Sequence, residues 1–292
     1  MKRLSALLTA CCVTVLGFGQ YHALLWKISG PGINKPSYLY GTMHTTDSRV
    51  FQFSNQVDPA FKSARRFAME LNPDEAFNAQ VMARLLMPET QSLEQLLDSV
   101  DYRFLDSIFT RNMGSSLALF NRVSPILIEA MVEQFALKSR VDEPVTSSQE
   151  RDFLDMYFYR RAKRLHKPVI GLEAVEDQLN ALNSLTYQEQ AQLLHDDLIT
   201  LRGNVPEDGK NVLALYVTQD LDALLKESHE ARLPPKFYTA IVTVRNQHMA
   251  RRISELVLEK PTFIAVGALH LPGPEGVIEL LRQKGFTVTP QN

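Results

Sequence analysis

Apolar residues recur along this chain at two different spacings, and the two occupy different stretches. Across 77–87, 93–109, 126–137 and 153–165 they return every three or four residues, the period of a helix that buries one face. A further stripe runs from 235 to 258 and carries Val242, Asn246, Met249, Ile253 and Leu256, with Ile241, Arg245, His248 and Arg252 on the neighbouring one. Short runs rich in β-branched and aromatic residues lie at 25–28, 38–40, 66–71, 168–170, 263–266 and 286–289, and these read as strands. Between Asn72 and Ile170 the only glycine is Gly114, so the middle of the chain is helical. No Pro/Gly/Ser-rich linker divides the sequence. The pattern predicts an α/β (α+β) fold in one domain over residues 20–292. Its central sheet is assembled from both ends of the chain around a large helical middle insert.

Two of the predicted strands run into the same tetrapeptide pattern. Ser37-Tyr38-Leu39-Tyr40 leads to Gly41-Thr42-Met43-His44, and Thr262-Phe263-Ile264-Ala265-Val266 leads to Gly267-Ala268-Leu269-His270. A glycine closing a buried strand permits a sharp turn and close backbone approach, which puts each histidine at a strand's C-terminal edge. In open α/β sheets ligands bind at that edge. The repeat reads as an internal pseudo-duplication. Glu70, after the strand at 66, reaches the same edge, and the alternative is an ion pair with Arg65 or Arg66. Glu173 follows Gly171 in the same way, and there a favourable charge at the start of a helix near Ala174 competes with a functional role. Arg245 borders the core face of the helix that leads into the second Gly-x-x-His, where a guanidinium can hold a substrate carboxylate or a developing oxyanion. Asp47 reads as a turn residue, Arg252 as solvated, and His22, His166, His195 and His229 are assigned no role. His248 stays open.

The first nineteen residues carry Lys2 and Arg3, an apolar run from Leu4 to Phe18, and small residues at Gly17 and Gly19, the layout of a secretory signal. The expectation is export to the periplasm or the outside with cleavage before Gln20, and no transmembrane segment afterwards. Lipid attachment at Cys11 is the minor alternative. Both cysteines, Cys11 and Cys12, fall inside that signal, so a mature chain has no thiol and a metal would be held by histidine, carboxylate or backbone oxygen. The formal charge of −2 provides no basic footprint for nucleic acid.

Leu25-Trp26-Lys27-Ile28 followed by Ser37-Tyr38-Leu39-Tyr40-Gly41-Thr42-Met43-His44 resembles the opening of TraB/GumN family proteins, relatives of the Tiki metalloproteases. The resemblance continues through Ala68-Met69-Glu70-Leu71, Lys167-Pro168-Val169-Ile170-Gly171-Leu172-Glu173, Arg245-Asn246 and Val266-Gly267-Ala268-Leu269-His270-Leu271-Pro272-Gly273, in the family's order. It implies a fold like that of the erythromycin-esterase and ChaN-like proteins. It also implies a divalent-metal hydrolase, most simply a peptidase acting on peptide or protein, with manganese or cobalt as the metal and zinc as the alternative. By position, the residues it implies are His44, His270, Glu70 and Arg245. Two neutral imidazoles and a carboxylate leave positions open on a divalent ion for water. If Glu70 is a ligand, Glu173 is the spare carboxylate for proton transfer; if Glu70 is the base, two histidines hold the ion. The competing readings are a periplasmic haem- or iron-binding protein and a non-catalytic interaction protein.

Overall fold

All six predicted strand segments form strands in the computed structural model, which describes residues 21–76, 79–139, 153–203, 208–230 and 233–291. The expectations for the signal segment, including Cys11, and part of the predicted 77–87 helix lie outside the described residues. The strands are β1 (Leu25–Ser29), β2 (Ser37–Thr42), β3 (Arg66–Met69), β4 (Val169–Gly171), β5 (Thr262–Gly267) and β6 (Thr287–Pro290), and they form one sheet in the order β4-β3-β5-β2-β1-β6. β2, β5, β3 and β4 run parallel, whereas β1 is antiparallel to both β2 and β6. A short connection suffices for β1 and β2, while each parallel neighbour needs a long crossover. The C-terminal strand β5 therefore lies between β2 and β3 from the other end of the chain, as a sheet built from both ends requires.

The register aligns the ends that matter. Thr42 pairs with Gly267, Met69 pairs with Ala265, and Met69 pairs on its other side with Gly171. Four parallel strands thus stop side by side, and the residues that follow them share one edge. β3 is buried throughout and β5 is buried except at its last residue, as expected for strands covered on both faces. Phe61, Phe67, Phe158 and Phe263 are fully buried where helices meet the sheet. The helical middle has a second apolar cluster of its own, with Leu105, Phe109, Ile128, Leu194 and Leu198 at its centre.

Helix boundaries depart from simple periodicity at two places. The stripe predicted at 93–109 is two helices, Leu93–Leu96 and Ser99–Met113, because the Asp98 carboxylate accepts from the amides of Val100 and Asp101 at 2.8 Å and starts a new helix. The 235–258 stripe contains an α-turn at Pro235–Tyr238, a π-helical segment at Thr239–Val244 and the helix Arg245–Glu259. Such π segments concentrate at functional positions, and this one delivers Arg245. Among the described residues no helix is long and apolar enough to cross a membrane.

Candidate functional site

Gly267 ends β5 and opens a short 3-10 turn, Ala268–His270, whose tight winding carries His270 inward so that its ring is almost entirely buried. Its Nδ1 lies 2.7 Å from Asn246 Oδ1 on the Arg245–Glu259 helix. The Asn246 amide nitrogen donates to the Glu275 carbonyl at 2.8 Å, which orients the amide and makes Oδ1 the acceptor. His270 therefore carries its proton on Nδ1, and Nε2 presents a lone pair toward the strand ends. Burial lowers the imidazole pKa to about 4, with Arg245 and His44 adding to the effect against the opposing pull of Glu70. At neutral pH the ring is uncharged.

Glu70, one residue past β3, faces that lone pair. Its Oε1 is 3.9 Å from His270 Nε2 and accepts from the Gly267 amide at 2.7 Å, while Oε2 accepts from Arg245 Nη2 at 2.7 Å. Burial alone would raise this carboxyl, but His270, Arg245, His44 and the Gly267 amide outweigh it and hold the pKa at about 2. Of the alternative partners, Arg66 is instead paired with Glu259 at 2.7 Å.

Arg245 is enclosed between two carboxylates. Its Nε donates to both oxygens of Glu173 at 3.1 Å, its Nη2 reaches Glu173 and Glu70 at 2.7 Å each, and Nη1 donates to the Ile241 carbonyl at 3.3 Å. Burial opposes its charge, but Glu70 and Glu173 raise its pKa above the ordinary arginine value. Glu173 has no exposed side-chain surface, and Gln178 donates to it at 3.2 Å. Its backbone amide also bonds the Glu70 carbonyl at 3.0 Å, tying the ends of β3 and β4 together. In this arrangement the guanidinium is committed to positioning Glu70, and Glu173 sits behind it, away from the cleft.

His44 stands at the open side. Its side chain is 57% exposed, and its Nε2 lies 3.6 Å from Asp155 Oδ2. Thr42, His44, Met69, Glu70, Asp155 and Gln178 line one small cleft at the strand ends. His44 is near enough to act electrostatically on both Glu70 and His270. Asp155 escapes sequence reasoning because it stands in the first turn of Leu154–Arg164, where an acidic residue is ordinary helix chemistry. Its Oδ1 is buried without a hydrogen-bond partner. Asn246 was visible as a polar residue on the core face, but only the fold shows it holding His270.

Among the described residues, the three His or carboxylate groups whose ligand atoms all lie within 4.8 Å of one another are Asp98, Asp101 and His195. Glu70 Oε1 and His270 Nε2 come within 3.9 Å of each other, and Glu70 and His44 both line the cleft. Asp98 is spent on capping its helix, and Asp101 is held by His195 Nδ1 at 2.5 Å and Arg202 Nη2 at 2.7 Å. The hydrogen bond to Asp101 raises the His195 pKa. His195, assigned no role from sequence, thus joins an ion-pair network that could also hold a divalent cation. Asp47 behaves as a turn residue, accepting from the Arg49 amide at 2.9 Å.

The sequence profile of the TraB/PrgY/gumN family matches residues 24–290. Metalloprotease TIKI2 of Danio rerio is 25% identical over 91% of this chain and 60% of its own length. Metalloprotease TIKI1 of the same organism is 26% identical over 95% of this chain and 65% of its own length. An uncharacterized protein of Treponema pallidum is 24% identical over 94% of this chain and 86% of its own. The chain therefore spans under two thirds of the length of these TIKI relatives. No solved structure matches it. With both Gly-x-x-His segments, Glu70, Glu173 and Arg245 inside the matched span, this chain belongs to the TraB/PrgY/gumN family.

Proposed function

We propose that the cleft at the strand ends is the site of a divalent-metal-dependent peptidase in an exported protein. One observation carries the reading. His270 presents an unprotonated Nε2 to an ionised Glu70 across 3.9 Å, too far for a hydrogen bond. Two donors on one tetrahedral ion with bonds of about 2 Å lie roughly 3 Å apart or slightly more, so a small side-chain rotation brings this pair onto a common ion. The relatives named metalloproteases support it. His270, Glu70 and His44 would hold the cation, and this imidazole–carboxylate donor set suits manganese, cobalt or zinc. When bound, the cation supplies Lewis-acid polarisation of a carbonyl and acidifies water. The chain's own residues do the rest. Asn246 keeps Nε2 of His270 free, and Arg245, backed by Glu173, fixes Glu70. Asp155, in the cleft beside His44, would take the proton that a water loses as its oxygen bonds the scissile carbonyl carbon, and return it to the nitrogen as the C–N bond breaks.

The test is calorimetric titration of the purified protein with manganese, cobalt and zinc, together with cleavage of an unfolded polypeptide. His270→Ala is expected to abolish both binding and cleavage, and His195→Ala to leave both intact. The reverse pattern would move the metal to Asp98, Asp101 and His195 and sink the proposal. Export is supported by the charged start and apolar run, and N-terminal sequencing of the mature protein is expected to begin at Gln20. A lipid-bearing start at Cys11 would make it an anchored protein instead.

A further inference from the structure

The helical region carries an exposed apolar groove, one of whose lining residues, Gln134, bonds the backbone of His44. Leu86 follows the Ala79–Arg84 helix, and Leu127, Ala130, Met131 and Phe135 lie on one face of Pro125–Ser139; together they line the groove. Gln134, on the same wall, donates from Nε2 to the His44 carbonyl at 3.1 Å, so the groove and the candidate site share a residue boundary. Leu86 is 42% exposed although it is a large aliphatic side chain. The second apolar cluster packs behind this wall and gives it a rigid floor. An apolar concavity of this kind normally has an occupant.

Its position indicates which. The cleft beside His44 is small, so a polypeptide with a carbonyl placed there must run out of it on at least one side. The groove is the apolar surface that adjoins it, and Gln134 is the polar group at the junction. Met131 adds a side chain able to repack around different shapes. We propose that this groove receives the large apolar side chains of an extended polypeptide whose backbone passes His44, so that the protein selects unstructured segments rich in aliphatic or aromatic residues. This rests on the peptidase reading of the cleft for its cut bond, though binding in the groove is separately measurable.

The experiment uses the full chain in the presence of a chelator, so that no turnover is needed, and a short fluorescein-labelled peptide alternating Leu with Ser. Its counterpart carries Asp in place of Leu, and anisotropy reads binding. The Leu peptide is expected to bind and the Asp peptide to bind at least about tenfold more weakly, since the gain comes from apolar burial. Ala130→Glu puts a charge on an exposed groove position, and Leu86→Ser trims the rim; each is expected to weaken the Leu peptide severalfold without lowering the melting temperature. Equal affinity for both peptides, or binding unchanged in both variants, overturns the proposal. So does a concentration-dependent dimer that Ala130→Glu dissolves, because the groove would then belong to a second copy. Binding of the Leu peptide that is sensitive to Ala130→Glu, with no cleavage under any metal, supports the groove and defeats the peptidase reading. Metal-stimulated cleavage indifferent to apolar residues and to Ala130→Glu supports the peptidase reading and defeats the groove.

Discussion

Asn246 and Arg245 are neighbours in sequence with different work to do. Asn246 selects the His270 tautomer, and Arg245 clamps Glu70 against Glu173. Removing Asn246 Oδ1 frees the ring to rotate and exchange tautomers, so Asn246→Leu is expected to cost about 10–100-fold in metal affinity, as for other residues that orient a metal-binding histidine. Titration calorimetry on that variant checks it, and unchanged affinity would mean that Nε2 is not a ligand atom. Arg245→Ala leaves two mostly buried carboxylates facing each other, a loss on the order of 3–5 kcal/mol in unfolding free energy. Arg245→Lys restores the charge without the planar fork that reaches both carboxylates, and it is expected to recover part of the stability and little of the metal affinity. Denaturant unfolding and calorimetry measured side by side separate these two effects. An oxyanion-binding arginine would instead lose rate in both variants with stability nearly intact. At this scale Glu70, Glu173, Arg245 and both motif histidines could be named from sequence because each follows a strand or borders a helix's core face. Asp155 and Gln134 could not, because their partners lie about ninety or more residues away in sequence and their local contexts are ordinary.

Among the elements, the glycines of the two Gly-x-x-His segments, next to last in β2 and last in β5, make different close approaches. A Cβ at Gly41 would lie 2.9 Å from Leu271 Cδ1 and 3.2 Å from Ala268 Cα, so the first Gly-x-x-His segment packs directly against the turn of the second. A Cβ at Gly267 would meet Glu70 Oε1 at 3.3 Å and His270 Cδ2 at 3.4 Å, contacts with the site itself. Gly41→Ala is therefore expected to lower stability by about 1–3 kcal/mol, because backbone must move. Gly267→Ala, at a φ of −52° that alanine accepts, is expected to keep stability within ~1 kcal/mol while weakening metal binding. Opposite rankings in unfolding and titration experiments would show that the glycines do not divide the labour in this way. Strand periodicity and glycine placement made both positions legible in the sequence. The break at Asp98 and the π segment at 239–244 were not, since apolar spacing continues through a capped restart and through a π turn alike.

Over the whole molecule, clustering of the strands made a sheet from both ends readable, but its order was not. Placing β5 between β2 and β3 depends on long-range pairing that no local pattern encodes. The two regions this creates respond to pH with opposite sign. In the sheet region the His270 pKa falls from 6.5 to about 4 on folding. Between these values the unfolded chain binds a proton that the native chain excludes, so stability is complete above the unfolded value and is lost as pH falls through that window. Glu70, lowered from 4.5 to about 2, adds a further loss over that lower range. In the helical region Glu129 is raised well above the usual carboxylate range, first by burial and then by Asp197 and Glu133, and its Oε2 is buried without a hydrogen-bond partner. There the native state retains a proton that the unfolded chain releases above 4.5, so stability falls as pH rises. Hydrogen exchange of the metal-free protein is therefore expected to show the strand ends losing protection on acidification from pH 7 to 5, while Pro125–Ser139 gains it. His270→Gln should flatten the first trend and Glu129→Gln the second. A single common trend for both regions, unaltered by either substitution, would show that neither buried group governs the stability of the region around it.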